Sequence, residues 1–409
     1  MKTAWINFIY LLTMATPVVD NPLQPSLSNS THGPVRSELN FQTAPKYQLV
    51  NSKFPSTITQ SSSMDVITTD VNGDGHDDLV VATEFGPNRL FLFENGAWVD
   101  KALPQLKAYT PPYLGEDSED IAAADFDRDG DIDLFFVSED TPNHELLLND
   151  GRGNFTFAKA QIPKKGKANA LLIFDFNTDG WMDILIGIKG KNELYINQQG
   201  NGFVDETAKY WLDNADHTQD LISVDVDNDG DLDIVEGIEA GDNNLYINEG
   251  GKFHERSAQL SLPEGLETRK VVASDFDRDG DQDLFYCNVG WNQTKNPQNQ
   301  LLLNDGTGQF TNITDWLPED NATTLDVLFK DLNEDGILDL ITTNFVNDKK
   351  AKVFLSKKEN NTIQFTENDS LIPQLNFFGG TSILGLEVSG QHYIYFANFQ
   401  SQDLLLQEK

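Results

Sequence analysis

The chain has 409 residues, with 29 Lys and Arg against 65 Asp and Glu, a formal net charge of −36 and one cysteine. So large an acidic excess excludes phosphate-backbone binding, which depends on Lys and Arg displacing counterions from nucleic acid. The 26 Phe, 10 Tyr and 6 Trp are too many for a solvated, disordered acidic chain.

Lys2 precedes a mostly apolar run from Ala4 to Met14, and small residues follow, which predicts a secretory signal peptide over residues 1–15. The run is too short to span a bilayer. Residues 16–38, rich in Pro, Ser, Asn and Thr, predict a flexible leader. The expected product is secreted, or periplasmic and cell-surface associated, with no membrane insertion. Cys287 is expected to be a small buried hydrophobe in the run LFYCNV, so disulfides do not supply stability.

The segments DVNGDGHDDL from Asp70, DFDRDGDIDL from Asp125, DFNTDGWMDI from Asp175, DVDNDGDLDI from Asp225, DFDRDGDQDL from Asp275 and DLNEDGILDL from Asp331 repeat one pattern, D-x-[DN]-x-D-G-x-x-D-[LI]. Their starts are 55, 50, 50, 50 and 56 residues apart. Each lies between two short apolar runs, predicting a strand, loop, strand hairpin. A third strand ends in a turn and a fourth opens with Phe, as in ELLLNDGRGNF from Glu145 and QLLLNDGTGQF from Gln300. Four strands in about 50 residues is the size of a propeller blade.

The count predicts an all-β, seven-bladed β-propeller over residues 39–409. The seventh unit contains ILGLEVSGQHYIYFANF and DLLLQEK, its acidic loop reduced to Glu387 to Gln391, and it lacks a fourth strand. The N-terminal LNFQTAPKYQL from Leu39 is expected to complete it and close the ring, leaving no open edge.

The six acidic loops and the NDGxGxF turns resemble FG-GAP or VCBS repeats, the units of the integrin α-subunit propeller and of many exported bacterial proteins. The resemblance covers residues 39–409 and implies a calcium-bearing propeller. It does not fix an activity, because adhesins, lectin-like modules and some polysaccharide lyases share the scaffold.

Calcium takes six to eight hard oxygen ligands, and a tight loop supplies them from alternating positions, with Gly at position 6 permitting the turn. The expected side-chain ligands are Asp70, Asn72, Asp74 and Asp78; Asp125, Asp127, Asp129 and Asp133; Asp175, Asn177, Asp179 and Asp183; Asp225, Asp227, Asp229 and Asp233; Asp275, Asp277, Asp279 and Asp283; and Asp331, Asn333, Asp335 and Asp339. The position-7 residues His76, Asp131, Trp181, Asp231, Asp281 and Ile337 are expected to contribute main-chain carbonyls. An EF-hand would need Glu at position 12, where Val81, Phe136, Ile186, Glu236, Tyr286 and Thr342 stand, so Glu236 reads as a coincidence. Up to six Ca2+ ions are expected.

Length variation falls at the strand ends opposite these loops, and variable loops on a rigid scaffold are where binding usually resides. Trp291, Tyr109, Tyr113, Trp211 and Trp316 are candidates for stacking on sugars or packing against a partner; Trp211 and Trp316 serve equally well as fillers between blades. The six histidines fall in no nucleophile, zinc or Ser/His/Asp signature. The leading reading is a monomeric, noncatalytic adhesion or recognition module for protein or glycan. The alternative is a polysaccharide-active enzyme, a lyase, with Lys164, Lys165 and Lys167 as candidates for neutralising a uronate.

Overall fold

The computed structural model describes residues 45–409 except 56–61, 105–115, 140–143, 159–161, 164–166, 211–215, 240, 292–297, 320–321, 346–350, 360–361 and 374–378. The signal segment, the leader, Tyr109, Tyr113, Lys164, Lys165, Trp211 and the first part of the Leu39 strand lie outside the described residues. Among the described residues no helix is long and apolar enough to cross a membrane.

The fold is all-β and propeller-like, built from antiparallel four-stranded units. Unit two shows the plan, with strands Glu116–Ala124, Asp133–Ser138, Glu145–Asn149 and Phe155–Phe157. The same order recurs in unit one (63–102), unit three (168–205), unit four (216–255), unit five (268–312) and unit six (324–367). Units one and two share an eight-stranded sheet through the pairing of Glu84 with Asp117, and units three and four do so through Lys189 and His217.

The C-terminal sheet contains Gly380–Val388, Gln391–Asn398 and Leu404–Glu408, and Tyr47–Leu49 adds its fourth strand by pairing Tyr47 with Glu408. Where the other units have an acidic loop, Val388 pairs directly with Gln391. Ser389 and Gly390 between them have φ of 52° and 72°, a two-residue hairpin turn with both central residues left-handed. This is the reduced loop expected at Glu387 to Gln391.

Second strands such as Asp133–Ser138, Asp233–Ile238 and Asp283–Asn288 are buried along their whole length, because they have sheets packed on both faces. That is why they read as apolar runs rather than as alternating strands. Side chains interlock between successive units: Val80, Leu90 and Leu92 of unit one pack on Leu134, Phe136 and Phe155 of unit two. Val66, Leu79 and Phe91 of unit one also pack on Leu386, Tyr395 and Leu405 of the C-terminal sheet. Each fully buried side chain of this kind contributes about 1.5–3 kcal/mol. Cys287 is buried in this core, and burial raises its thiol pKa well above the ordinary value, as befits a packing residue.

Polar belts hold the units at both ends of the third strand. At its start, Asn88, Asn192, Asn243 and Asn299 accept a backbone N–H from their own unit and donate to, or accept from, a hydroxyl of the next, Ser118, Thr218, Thr268 and Thr324, at 2.9–3.0 Å. At its end, Asn149, Asn197 and Asn304 donate from Nδ2 to Val71, Phe126 and Val226 carbonyls of the preceding unit at 2.7–2.9 Å. Among the described residues, only the third strands from Asn192 to Asn197 and from Asn299 to Asn304 carry an inter-unit asparagine clamp at both ends.

Each innermost strand carries a bulge at one common place, and Asp65, Asp120, Ala170, Asp220, Lys270, Asp326 and Ser382 follow it. Asp120, Asp220 and Asp326 accept the backbone N–H of Leu171, Val271 and Ile383 in the next unit at 2.7–2.9 Å. Lys270 is 3.3 Å from Asp220. Burial opposes the charge on Lys270, but Asp220, Asp65, Asp120 and Asp326 outweigh it and hold the ammonium firmly protonated.

The clamp predicts a graded cost. Asn149→Ala should lower the unfolding free energy by about 1–3 kcal/mol in urea melts, since it removes the donor to the buried Val71 carbonyl, and Asn304→Ala by about 1 kcal/mol, since the Val226 carbonyl keeps the Gly308 N–H at 2.9 Å. Asn248→Ala should cost less, because its amide reaches only the Leu232 carbonyl of its own unit, at 3.2 Å, in an exposed position.

Candidate functional site

The acidic loops join the first and second strands of units one to six. Position 4, occupied by Gly73, Arg128, Thr178, Asn228, Arg278 and Glu334, has φ between 56° and 73°, and the position-6 glycines have φ between 85° and 104°. Only glycine adopts the second of these without strain, which explains the invariant D-G step within this chain.

At position 9, Asp78, Asp133, Asp183, Asp233, Asp283 and Asp339 are buried. One oxygen of each accepts the position-2 N–H of its own loop at 2.8–3.2 Å. The other accepts an N–H from the third strand, at Phe93, Asn149, Asn197, Asn248, Asn304 and Ser356, at 2.7–2.9 Å. Burial pushes Asp78, Asp183 and Asp233 up to about 6 and Asp133 and Asp283 up to about 7, although the N–H donors act in the opposite direction.

Positions 1, 3 and 5 face the loop interior, and the six loops divide. In loops two, four and five, carboxylate oxygens of Asp125, Asp127 and Asp133, of Asp225, Asp227 and Asp229, and of Asp275, Asp277 and Asp279 converge within 4.8 Å. In each of these loops one oxygen of the position-1 residue, Oδ1 of Asp125, Asp225 or Asp275, is buried and has no hydrogen-bond donor among the described residues. In loops one, three and six the same atom, on Asp70, Asp175 and Asp331, accepts the position-5 N–H at 3.0–3.2 Å. Converging carboxylates with an orphaned oxygen fit a hard cation held by oxygen ligands.

The position-7 side chains of the second group turn elsewhere: His76 lies edge-on to Phe93, Trp181 lies under the Arg128 guanidinium at 4.5 Å, and Ile337 packs on the core. Glu236 is wholly buried on its strand and accepts Asn192 Nδ2 at 2.7 Å and Asn244 Nδ2 at 2.8 Å. It links units three and four, and its resemblance to an EF-hand ligand is a coincidence of spacing.

At the opposite strand ends a different cluster forms. Arg269 lies over the Trp291 ring at 4.2 Å and is 3.5 Å from Glu239 and 3.6 Å from Glu267. Its Nη1 donates to Gln219 at 2.6 Å, and His217 is 2.9 Å from Glu239. His217 hydrogen bonding and the Arg269 charge outweigh burial and keep Glu239 ionised. Trp291 continues into an aromatic row through Phe345 at 6.3 Å, Phe399 and Phe85, of which Phe85 is 37% exposed. Trp316 instead packs against the core between units, and Lys167 is exposed. Sequence reading nominated Trp291 but missed Arg269, Glu239 and Gln219, which lie in ordinary strand-end sequence and meet only through the fold.

The FG-GAP-like repeat profile matches residues 70–136, 125–186, 175–236 and 288–342. No curated protein sequence matches. Among solved structures, BBS1N in complex with ARL6DN has 11% identity and a TM-score of 0.52, covering 90% of this chain and 98% of that one. A lectin from Agrocybe aegerita described as recognising non-reducing terminal N-acetylglucosamine has 17% identity and a TM-score of 0.49, covering 84% and 87%. At these identities the likeness concerns the fold alone.

Two outcomes test the site. The position-9 carboxylates have folded-state pKa values above the ordinary 3.8, so their protonation stabilises the ion-free fold at acidic pH and that contribution is lost as pH rises through 6 to 7. In EDTA the melting temperature should therefore fall between pH 5 and pH 8, as read by calorimetry. Glu236→Gln should leave the number of bound ions unchanged, as counted by elemental analysis, while lowering the melting temperature.

Proposed function

As the chain belongs to the family of FG-GAP-like repeat proteins, we propose that it is an exported, noncatalytic recognition module, a closed seven-bladed β-propeller stapled by calcium at one strand end and binding protein or glycan at the other. The observation that carries the calcium reading is the set of orphaned, converging carboxylate oxygens in loops two, four and five. Side chains at positions 1, 3, 5 and 9 would hold the ion, with the position-7 carbonyl. The ion would supply positive charge between acids that otherwise repel one another.

Ring closure is supported by the pairing of Tyr47 with Glu408 and by Ser63 Oγ, which donates to the buried Asp403 carboxylate of the C-terminal sheet at 2.7 Å. At millimolar calcium a site with a Kd near 0.1 mM adds about 1.4 kcal/mol, so that roughly 8 kcal/mol is the upper bound for six independent sites all that tight. That is comparable to the stability of a whole domain, about 5–15 kcal/mol. Calcium thus takes the part that disulfides play in many exported domains.

Recognition is assigned to the end carrying Arg269, Trp291 and the aromatic row, where a charged fork and apolar ring faces lie side by side. Such a surface suits a ligand with both polar edges and apolar faces, as a sugar ring or a polar peptide has. The BBS1N structure of similar fold was solved with a protein partner, which is compatible with that use of the scaffold.

Chelation should lower the melting temperature by many degrees in calorimetry; an unchanged melt in EDTA sinks the calcium staple. A glycan array run beside an assay for unsaturated products on acidic polysaccharides tests the recognition reading. Saturable binding without turnover is expected, weakened about tenfold, or about 1.4 kcal/mol, by Trp291→Ala with calcium still bound. Turnover would overturn the noncatalytic assignment in favour of a lyase.

A further inference from the structure

The six acidic loops differ from one another in a concerted way. Loops two, four and five carry Asp at position 3 (Asp127, Asp227, Asp277) and also at position 7 (Asp131, Asp231, Asp281). Loops one, three and six carry Asn at position 3 (Asn72, Asn177, Asn333) and His76, Trp181 and Ile337 at position 7. The same division appears in the geometry, where the first group has a buried, unpartnered position-1 oxygen and the second has that oxygen occupied by the position-5 N–H. In two loops of the second group the Asn amide also bridges to the position-5 carboxylate, Asn72 to Asp74 at 3.2 Å and Asn333 to Asp335 at 3.1 Å.

We propose that the chain carries two classes of calcium site, three tight ones in loops two, four and five and three weak ones in loops one, three and six. The proposal rests on the calcium reading above. Two physical differences act in the same direction. The ligand side chains at positions 1, 3, 5 and 9 carry four negative charges in the first class and three in the second, and calcium affinity in such loops follows ligand charge. In the first class the position-1 oxygen has no hydrogen bond to share or give up, whereas in the second a donor already holds it, so binding there includes the cost of replacing that bond.

Loops four and five are also linked directly. Asn228, left-handed at position 4 of loop four, donates from Nδ2 to the Asp281 carboxylate of loop five at 2.7 Å. Two tight sites therefore sit on adjoining units joined through their own loops. Over the calcium range of extracellular fluids, the first class would stay filled as a permanent staple while the second fills and empties, so that stability follows the ambient ion.

The test is equilibrium dialysis of the full chain against radioactive calcium, from about 10−6 to 10−2 M. Two steps of three ions each are expected, with midpoints at least about tenfold apart. Asn333→Asp should move one ion from the weak step to the tight step, giving four and two. Asp277→Asn should move one the other way, giving two and four. A single step of six ions, or an unchanged three-and-three division in Asn333→Asp, overturns the two classes while leaving the calcium reading intact. Absence of any saturable binding overturns both, and the stoichiometry separates that case from a single step. Because Asn333→Asp gains a tight site, misfolding cannot imitate its expected result.

Discussion

One buried carboxylate per acidic unit, the position-9 aspartate, fixes the geometry on which the rest depends. Its two oxygens accept N–H groups from the start of the loop and from the third strand, so a single side chain ties three separate segments. Those hydrogen bonds counter only part of the cost of holding the acid away from water, so burial still raises its pKa. With both ends of the loop held, positions 1, 3 and 5 have only the interior to face. That anchor is common to all six loops, and in loops two, four and five the acids converge within 4.8 Å.

The same anchoring point starts the contacts between units. Asn149, Asn197 and Asn304 offer their N–H to the position-9 aspartate of their own unit and their side-chain amide to the loop of the unit before. Any stiffening of a loop is therefore felt by its neighbour through a bond that already exists. The bulged innermost strands do the same around Lys270, where Asp120, Asp220 and Asp326 each reach a backbone N–H of the next unit. Apolar interlocking supplies most of the cohesion, and these polar contacts fix the register in which the sheets meet.

Charge separates the two ends of the strands. The six loops hold 26 of the 65 acids, and six calcium ions would carry the formal charge from −36 to −24. At the other end the charges are paired and mixed with aromatic rings, as in Arg269 with Glu239 and Trp291. A scaffold with anchored loops of one pattern at one strand end and loops of varied length at the other can change its ligand without changing its core.

The repeat period, the strand order, the loop residues and the reduced seventh loop were all legible in the sequence, because each depends on residues close together in the chain. A D-x-[DN]-x-D-G step dictates its own turn, and apolar runs of fixed spacing dictate strands buried on both faces. The partners of the clamp asparagines were not legible, since Asn149 bonds to Val71 and Asn304 to Val226, each 78 residues away. Glu236 reads in the sequence as a coincidence of spacing, but that it sits between two asparagines is visible only in the fold. The Arg269 cluster draws on units four and five, and apart from Trp291 it had no local signal. Sequence alone determined what each unit is, because turn chemistry and burial period are local; tertiary structure decided which polar groups meet, because those bonds form only once one unit packs against the next.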